Sequence, residues 1–173
     1  MTVHRPQAGP SAEGMVLVGL MSGTSLDGIS AAAVQFHEPP GARVQARLLS
    51  FVHTPYEASQ RERLERAMHE GSAREYCRLH ADLGAWLGDA AAAAMQAAGL
   101  SPDDVSAVAS HGQTLWHEPG HSTWQLGDAA QIAEQRRRIG VVQRLDAIDL
   151  AIAHAHSERT PVRAVRDATR VAR

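Results

Sequence analysis

Apolar and polar positions alternate with two different periods along this chain, and the change of period divides it into elements. Met15–Leu20 (MVLVGL) is a short apolar run ending in Gly and Ser, the pattern of a buried strand entering a turn. Ile29–Phe36 (ISAAAVQF) follows and is closed by Pro39, Pro40 and Gly41, and Val44–Val52 (VQARLLSFV) reads as a third strand. With only the turn Ser22–Gly28 between the first two runs, an antiparallel meander is expected. The period then lengthens. Ser59-Gln-Arg-Glu62 and Ser72-Ala-Arg-Glu75 both have capping-box spacing, predicting one helix that ends near Gly71 and a second that runs to Gly99. In the second helix Tyr76, Leu79, Leu83, Leu87, Ala90 and Ala94 share one face, and its Ala run suits close packing against a sheet. Val105–Ser110 is a fourth strand running into His111-Gly-Gln-Thr114, and a polar turn, His117–Gly120, leads to a strand at Ser122–Leu126. Gly127-Asp128 opens a helix from Ala129 to about Arg138, with Asp128 and Gln131 spaced as a third capping box, and Gly140–Val142 begins a last strand. Strands, then helices, then strands again predict an α/β fold. Met1–Gly14 reads as a polar, disordered leader, and residues 143–173 form an Ala/Arg-rich tail with weak patterning.

Composition narrows the chemistry. A length of 173 residues suits one domain or one lobe of something larger, and 44% apolar content is enough to build a core. Seventeen basic against nineteen acidic residues, a net charge of −2, leave no basic footprint for nucleic acid and no polybasic membrane patch. No run approaches the roughly 18 apolar residues of a membrane-spanning helix. Every basic residue other than His is Arg, and the absence of Lys removes Walker-type phosphate binding and Schiff-base chemistry. The single Cys77 excludes internal disulfides and cysteine-based zinc sites, which fits a reducing cytoplasm; it is expected as a partly buried, inert thiol.

Three motifs could carry chemistry. In Met21-Ser-Gly-Thr-Ser-Leu-Asp-Gly28, Gly23 and Gly28 permit positive φ, so successive backbone N–H groups could converge on an anion, with Thr24 and Ser25 adding hydroxyls. Asp27 could hold a divalent cation against phosphates. The same residues also suit an ordinary hairpin turn. His111-Gly-Gln-Thr114, at the expected end of a strand, offers donors and acceptors for a polyol or amide ligand, although a terminal His can equally be a plain surface residue. Asp128 in Gln125-Leu-Gly-Asp128 is accounted for by helix capping, which does not exclude a ligand at the same place. The scattered His residues, His117, His121, His154 and His156 among them, lack zinc-site spacing. A Ser25–His111–Asp128 hydrolase lacks both a nucleophile elbow and a marked oxyanion hole.

Taken in order, Val18-Gly-Leu-Met-Ser-Gly-Thr-Ser-Leu-Asp-Gly-Ile29, Ser110-His-Gly-Gln-Thr-Leu-Trp-His-Glu-Pro119, Thr123-Trp-Gln-Leu-Gly-Asp128 and Gly140-Val-Val142 resemble the N-terminal part of the anhydro-N-acetylmuramic acid kinase family over about residues 15–151. That resemblance implies the two-lobed sugar kinase, actin and heat-shock ATPase (ribonuclease H-like) fold, with residues 15–142 as its N-terminal lobe. It implies a cytoplasmic enzyme of peptidoglycan recycling. With ATP and Mg²⁺ such an enzyme phosphorylates the 6-oxygen of 1,6-anhydro-N-acetylmuramate while water opens the anhydro ring, giving N-acetylmuramate 6-phosphate. The ATP-phosphate loop would then be Gly23, Thr24, Ser25, Leu26, Asp27, Gly28, Ile29 and Ser30, with Asp27 as the Mg²⁺ contact. His111, Gln113, Thr114 and Asp128 would be the sugar-side residues. At the position of Ser30 the family usually carries Asp.

After Val142 the family continues with Asp-Phe-Arg and a Gly-Gly-Gln-Gly-Ala-Pro stretch. This chain reads Gln143-Arg-Leu-Asp-Ala-Ile-Asp149-Leu-Ala151 and has no counterpart of the Asp-Thr-Gly-Pro-Gly-Asn motif that carries the family's general base. The sequence therefore leads us to expect a second lobe missing and a tail, 143–173, that is truncated or frameshifted. The chain would have little activity alone, because one wall of a cleft cannot exclude water or position both reactants. A homodimer or a complementing C-terminal lobe would be its partner. The alternatives are a non-catalytic nucleotide- or sugar-binding lobe and a gene remnant.

Overall fold

The computed structural model describes residues 14–41, 43–135 and 140–141. The readings placed on the leader, on Val142, on the end of the third helix near Arg138 and on the tail with Asp149–Ala151, His154 and His156 lie outside these residues. The elements run β1 (Met15–Ser22), β2 (Gly28–His37), β3 (Gln45–Pro55), α1 (Ala58–Glu70), α2 (Ala73–Ala97), a 3₁₀ turn (Pro102–Asp104), β4 (Ala107–Glu118), β5 (Ser122–Leu126), α3 (Ala129–Gln135) and β6 (Gly140–Val141). They build a single mixed sheet in the order β3-β2-β1-β4-β5, with β6 also paired to β4. The meander is as expected: β1–β2 and β2–β3 are antiparallel, while β1 pairs parallel with β4 through the α1–α2 crossover.

Helix α2 organises the core. Leu79, Leu83, Leu87, Ala90 and Ala94 of the expected stripe are buried, and Tyr76 is half-buried. The C-terminal half of α2 (Leu87, Ala90, Ala91, Ala94, Met95) packs on Val18 and Leu20 of β1, Ile29, Ala31 and Ala33 of β2 and Val108 of β4. Its N-terminal half (Leu79, Leu83) closes a second cluster with Leu26, Leu64, Ala67, Leu115 and Leu126. At about 25 cal/mol per Å² of apolar area, these two clusters are what hold the helix to the sheet. Small Ala side chains on both sides let helix and sheet approach closely, the physical use of the Ala run.

Helix starts depart from the expected boxes. The first helix begins two residues early, after Glu57, whose N–H donates to Gln60 Oε1 at 2.9 Å. Ser59 thus lies inside the first turn rather than capping it, because the Tyr56 N–H is held by the Asp27 carbonyl at 3.3 Å and the chain turns at once. Ser72 does cap α2, accepting from the Glu75 N–H at 3.2 Å. The Glu75 carboxylate does not reach back. It pairs with Arg63 Nε at 2.5 Å, and Asp82 takes Arg63 Nη1 at 2.6 Å. Burial opposes that charge, yet the bonds to Glu75 and Asp82 outweigh it and hold the guanidinium above its ordinary value. Asp128 caps α3 through Oδ1 and the Ala130 N–H at 2.8 Å, while its own N–H is taken by the His80 carbonyl at 3.0 Å instead of by Gln131. Cys77, expected partly buried, is exposed, since it sits off the packed stripe.

Candidate functional site

Residues 23–27 join β1 to β2 at one end of the sheet. The positive φ expected at Gly23 is carried instead by Leu26, at 53°. A left-handed residue with a Cβ costs about 1–2 kcal/mol. Leu26 offsets that cost because its side chain is buried, at 5% exposure, among Leu64, Leu79, Leu83 and Leu115, a burial that contributes about 1.5–3 kcal/mol. The Leu26 N–H closes the turn on the Gly23 carbonyl at 3.3 Å. The turn is therefore rooted in the core at Leu26, while Thr24, Ser25 and Asp27 are exposed at its tip. Ser25 Oγ donates to Asp27 Oδ1 at 2.7 Å, and this bond holds the Asp27 carboxyl below its ordinary value, helped by nearby His53. Ser30 lies within β2, where its hydroxyl meets His53 Nδ1 of β3 at 3.2 Å.

The second motif does not end a strand. His111-Gly-Gln-Thr114 lies within β4, which continues to Glu118, so His117 and Glu118 belong to the strand and the hairpin turn starts at Pro119. The strand continues because β5 pairs with its outer half, Gln113 opposite Leu126 and Thr114 opposite Gln125. Gly112 makes the local irregularity possible: at φ 72° it sits where a Cβ would meet the Leu126 carbonyl oxygen at 2.6 Å, and the β1–β4 register shifts across it.

Past that shift the side chains separate into two groups. On the face away from α2, Gln125 of β5 places its amide nitrogen 2.9 Å from His111 Nε2 and 3.4 Å from Thr114 Oγ1. Gln113 turns the other way and is wholly buried. Its amide Nε2 donates to the carbonyls of Gly23 at 3.2 Å and Thr114 at 3.0 Å, and its Oε1 accepts from Ser22 Oγ at 2.5 Å. Tyr56 joins this group, its hydroxyl 2.6 Å from Ser22 Oγ. Burial pushes the Tyr56 phenol up to about 12, with the Asp27 charge adding to the rise and the Ser22 bond opposing it.

The third motif lies beside the second. The Gly127 N–H donates to His80 Nδ1 of α2 at 3.0 Å, and Gly84 of α2 leaves room for the Asp128 backbone, whose carbonyl oxygen a Cβ there would meet at 2.6 Å. Asp128 is committed to the start of α3 and, among the described residues, makes no hydrogen bond to His111, Thr114 or Gln125. The structure thus brings His111 and Thr114 together, adds Gln125, and places Gln113 behind them against the β1–β2 turn.

The model of the anhydro-N-acetylmuramic acid kinase family matches residues 15–158, most of the chain and all of the elements above. The chain belongs to this family. Proteins named anhydro-N-acetylmuramic acid kinase include one from Caldanaerobacter subterraneus subsp. tengcongensis, 36% identical over 78% of this chain and 36% of its own length. The protein of that name from Parasynechococcus marenigrum is 40% identical over 80% of this chain and 36% of its own length. That from Burkholderia pseudomallei is 38% identical over 87% and 38%. The chain spans between a third and two fifths of the length of these relatives. Among the described residues no helix is long and apolar enough to cross a membrane.

Within the family match, sequence reasoning missed Gln125, Tyr56, Ser22 and His80. Gln125 stood inside a quoted motif, but its pairing with His111 depends on the β4–β5 register. Tyr56 lies in no motif, and a lone Tyr before a helix carries no signal of its partner 34 residues away.

Proposed function

We propose that residues 15–142 form the nucleotide- and sugar-facing N-terminal lobe of a carbohydrate kinase that converts 1,6-anhydro-N-acetylmuramate to N-acetylmuramate 6-phosphate with ATP in the cytoplasm. The observation that carries this reading is the family match across residues 15–158. The sheet order, an antiparallel β1–β2–β3 meander with β4 added parallel to β1, supports the N-terminal lobe of the ribonuclease H-like fold of sugar kinases and actin.

In this reading the turn Gly23–Gly28, with Ile29 and Ser30 behind it, cradles the ATP phosphates without a lysine. Thr24 and Ser25 offer exposed hydroxyls, and Asp27 stays ionised through its bond to Ser25. A single exposed carboxylate suits Mg²⁺, which keeps most of its water and binds by one or two carboxylates plus phosphates. Bound there, Mg²⁺ neutralises phosphate charge as the phosphoryl group is transferred. His111 and Thr114, held by Gln125, face the sugar, and Asp128 offers a carboxylate at the edge of that wall. Gln113 supports the wall from behind.

The 173 residues contain no Asp-Thr-Gly-Pro-Gly-Asn motif, the segment to which the resemblance assigns the general base for the attacking water. In this reading these residues by themselves bind ATP·Mg²⁺ weakly, and turnover needs the segment that bears that motif to complete the cleft. Calorimetric titration with ATP·Mg²⁺ and a coupled ADP-release assay with the anhydro-sugar test both parts. The expected result is saturable binding, weakened by Ser25→Ala and by Asp27→Asn, with no turnover until the complementing lobe is added. Absence of ATP binding, or binding indifferent to both substitutions, would overturn the assignment of the loop.

A further inference from the structure

We infer that Tyr56 and Gln113 are positioning residues that brace the β1–β2 turn from beneath and set the presentation of its exposed tip to phosphate. This rests on the reading of that turn as the phosphate loop.

The argument starts from saturation. Ser22 and Gln113 are two of the three buried polar residues among those described, at 1% and 0% exposure, and buried polar groups require partners. A carboxamide has two N–H donors and one oxygen with two lone pairs. In Gln113 both donors are used, on the Gly23 and Thr114 carbonyls, and the oxygen accepts from Ser22 Oγ, with the Tyr56 hydroxyl oxygen 3.5 Å away. Both N–H donors of Gln113 are thus spent within the fold, and the side chain is wholly buried. The Ser22 hydroxyl has one proton, and the Gln113 oxygen at 2.5 Å is a nearer acceptor than the Gly28 carbonyl at 3.2 Å, so the 2.6 Å contact makes Tyr56 the donor to Ser22. A phenol pushed up to about 12 keeps that proton across the working pH range.

The connections fall on both ends of the turn. Gly23, at its start, is held through its carbonyl by Gln113, and Asp27, at its end, through its carbonyl by the Tyr56 N–H at 3.3 Å. Between them Leu26 is anchored in the core, which leaves Thr24 and Ser25 as the presented tip. The same Gln113 amide holds the carbonyl of Thr114, so one side chain ties the turn to the strand that carries His111 and Thr114.

Tyr56→Phe tests this, because it keeps the ring against Trp86 (centroids 6.0 Å apart) and removes only the hydroxyl. Tyr76→Phe is the control: its hydroxyl donates to the Ala67 carbonyl at 3.1 Å, in the α1–α2 contact. In the full chain without ligand, amide hydrogen exchange at residues 24–27 should accelerate about tenfold in Tyr56→Phe and stay unchanged in Tyr76→Phe. ATP·Mg²⁺ should bind Tyr56→Phe about five- to tenfold more weakly than either the parent chain or the control. Unchanged exchange at the turn overturns the brace, as does faster exchange with undiminished ATP affinity or an equal effect of both substitutions. A parent chain that does not bind ATP·Mg²⁺, while exchange still accelerates in Tyr56→Phe alone, leaves the brace standing and overturns the phosphate-loop reading.

Discussion

Ser22 Oγ donates to Gln113 Oε1 at 2.5 Å across 91 positions of the chain, joining the end of β1 to the middle of β4 beneath the candidate phosphate turn. The bond lies where the β1–β4 register shifts, with Ser22 and Gln113 as paired residues beyond the irregularity. Removing Gln113 takes a donor from the part-buried Gly23 and Thr114 carbonyls, of which Gly23 keeps the Leu26 N–H, and takes an acceptor from the buried Ser22 hydroxyl, at about 1 kcal/mol for each bond lost. Gln113→Met, which keeps volume and removes the carboxamide, should lower unfolding stability by at least about 2 kcal/mol in urea titrations. A loss below about 0.5 kcal/mol would show that water satisfies these groups and that the site is wet.

Leu26 combines a strained backbone with a buried side chain, and two substitutions separate the terms. Leu26→Ala should cost about 2–4 kcal/mol through lost packing. Leu26→Gly loses slightly more side chain but relieves the left-handed φ, so it should equal or exceed the Ala variant, by up to about 1 kcal/mol. Thermal melts of the pair decide it. An Ala variant clearly more stable than the Gly variant places the strain elsewhere.

At Gly84, helix propensity and packing make opposite predictions. Ala is better than Gly inside a helix by about 1 kcal/mol. A Cβ at this position would, however, meet the Asp128 carbonyl oxygen at 2.6 Å and Gln131 Cβ at 2.7 Å. Both belong to the start of α3, whose backbone must then shift, at about 1–3 kcal/mol. Packing wins, and Gly84→Ala should melt below the parent protein. A rise in melting temperature would mean that α3 is free to move off α2.

Alkaline pH isolates Tyr56. An unfolded phenol titrates near 10, whereas in the fold burial pushes this one up to about 12. The neutral form is therefore favoured by folding. Its contribution is intact below pH 10, declines as pH rises from 10 towards 12, and is lost above that. Two pKa units correspond to about 2–3 kcal/mol. Urea midpoints should fall between pH 9 and 11.5 in the parent chain and fall distinctly less in Tyr56→Phe. Parallel declines in the two would assign the alkaline loss to other groups.

Local elements were legible because their signals are local. The α2 stripe from Leu79 to Ala94 and the three-strand meander follow from periods of 3.6 and 2 that each residue contributes to directly. Helix starts were less legible. Ser59 and Glu62 have capping spacing, but the start of α1 is set by the Asp27 carbonyl that holds Tyr56, and Glu75 is drawn from its cap by Arg63. The motif carrying His111 read as a strand end because Gly112 resembles a stop. Only the pairing of β5 shows that the strand continues through it.

By itself the sequence determined the α/β class, the order of elements, the three motif segments and, through their resemblance, the family. These depend on residue type and short-range spacing, which a chain carries whether or not it is folded. Tertiary structure alone decided that Leu26 rather than Gly23 takes the left-handed turn. It also decided that Gln113 faces inward while His111 and Thr114 face Gln125, and that Tyr56 supports the turn. Each of these is a choice of side-chain direction made by long-range burial and by the demand that every buried polar group find a partner, and partners 34 to 91 positions apart meet only once the sheet has formed.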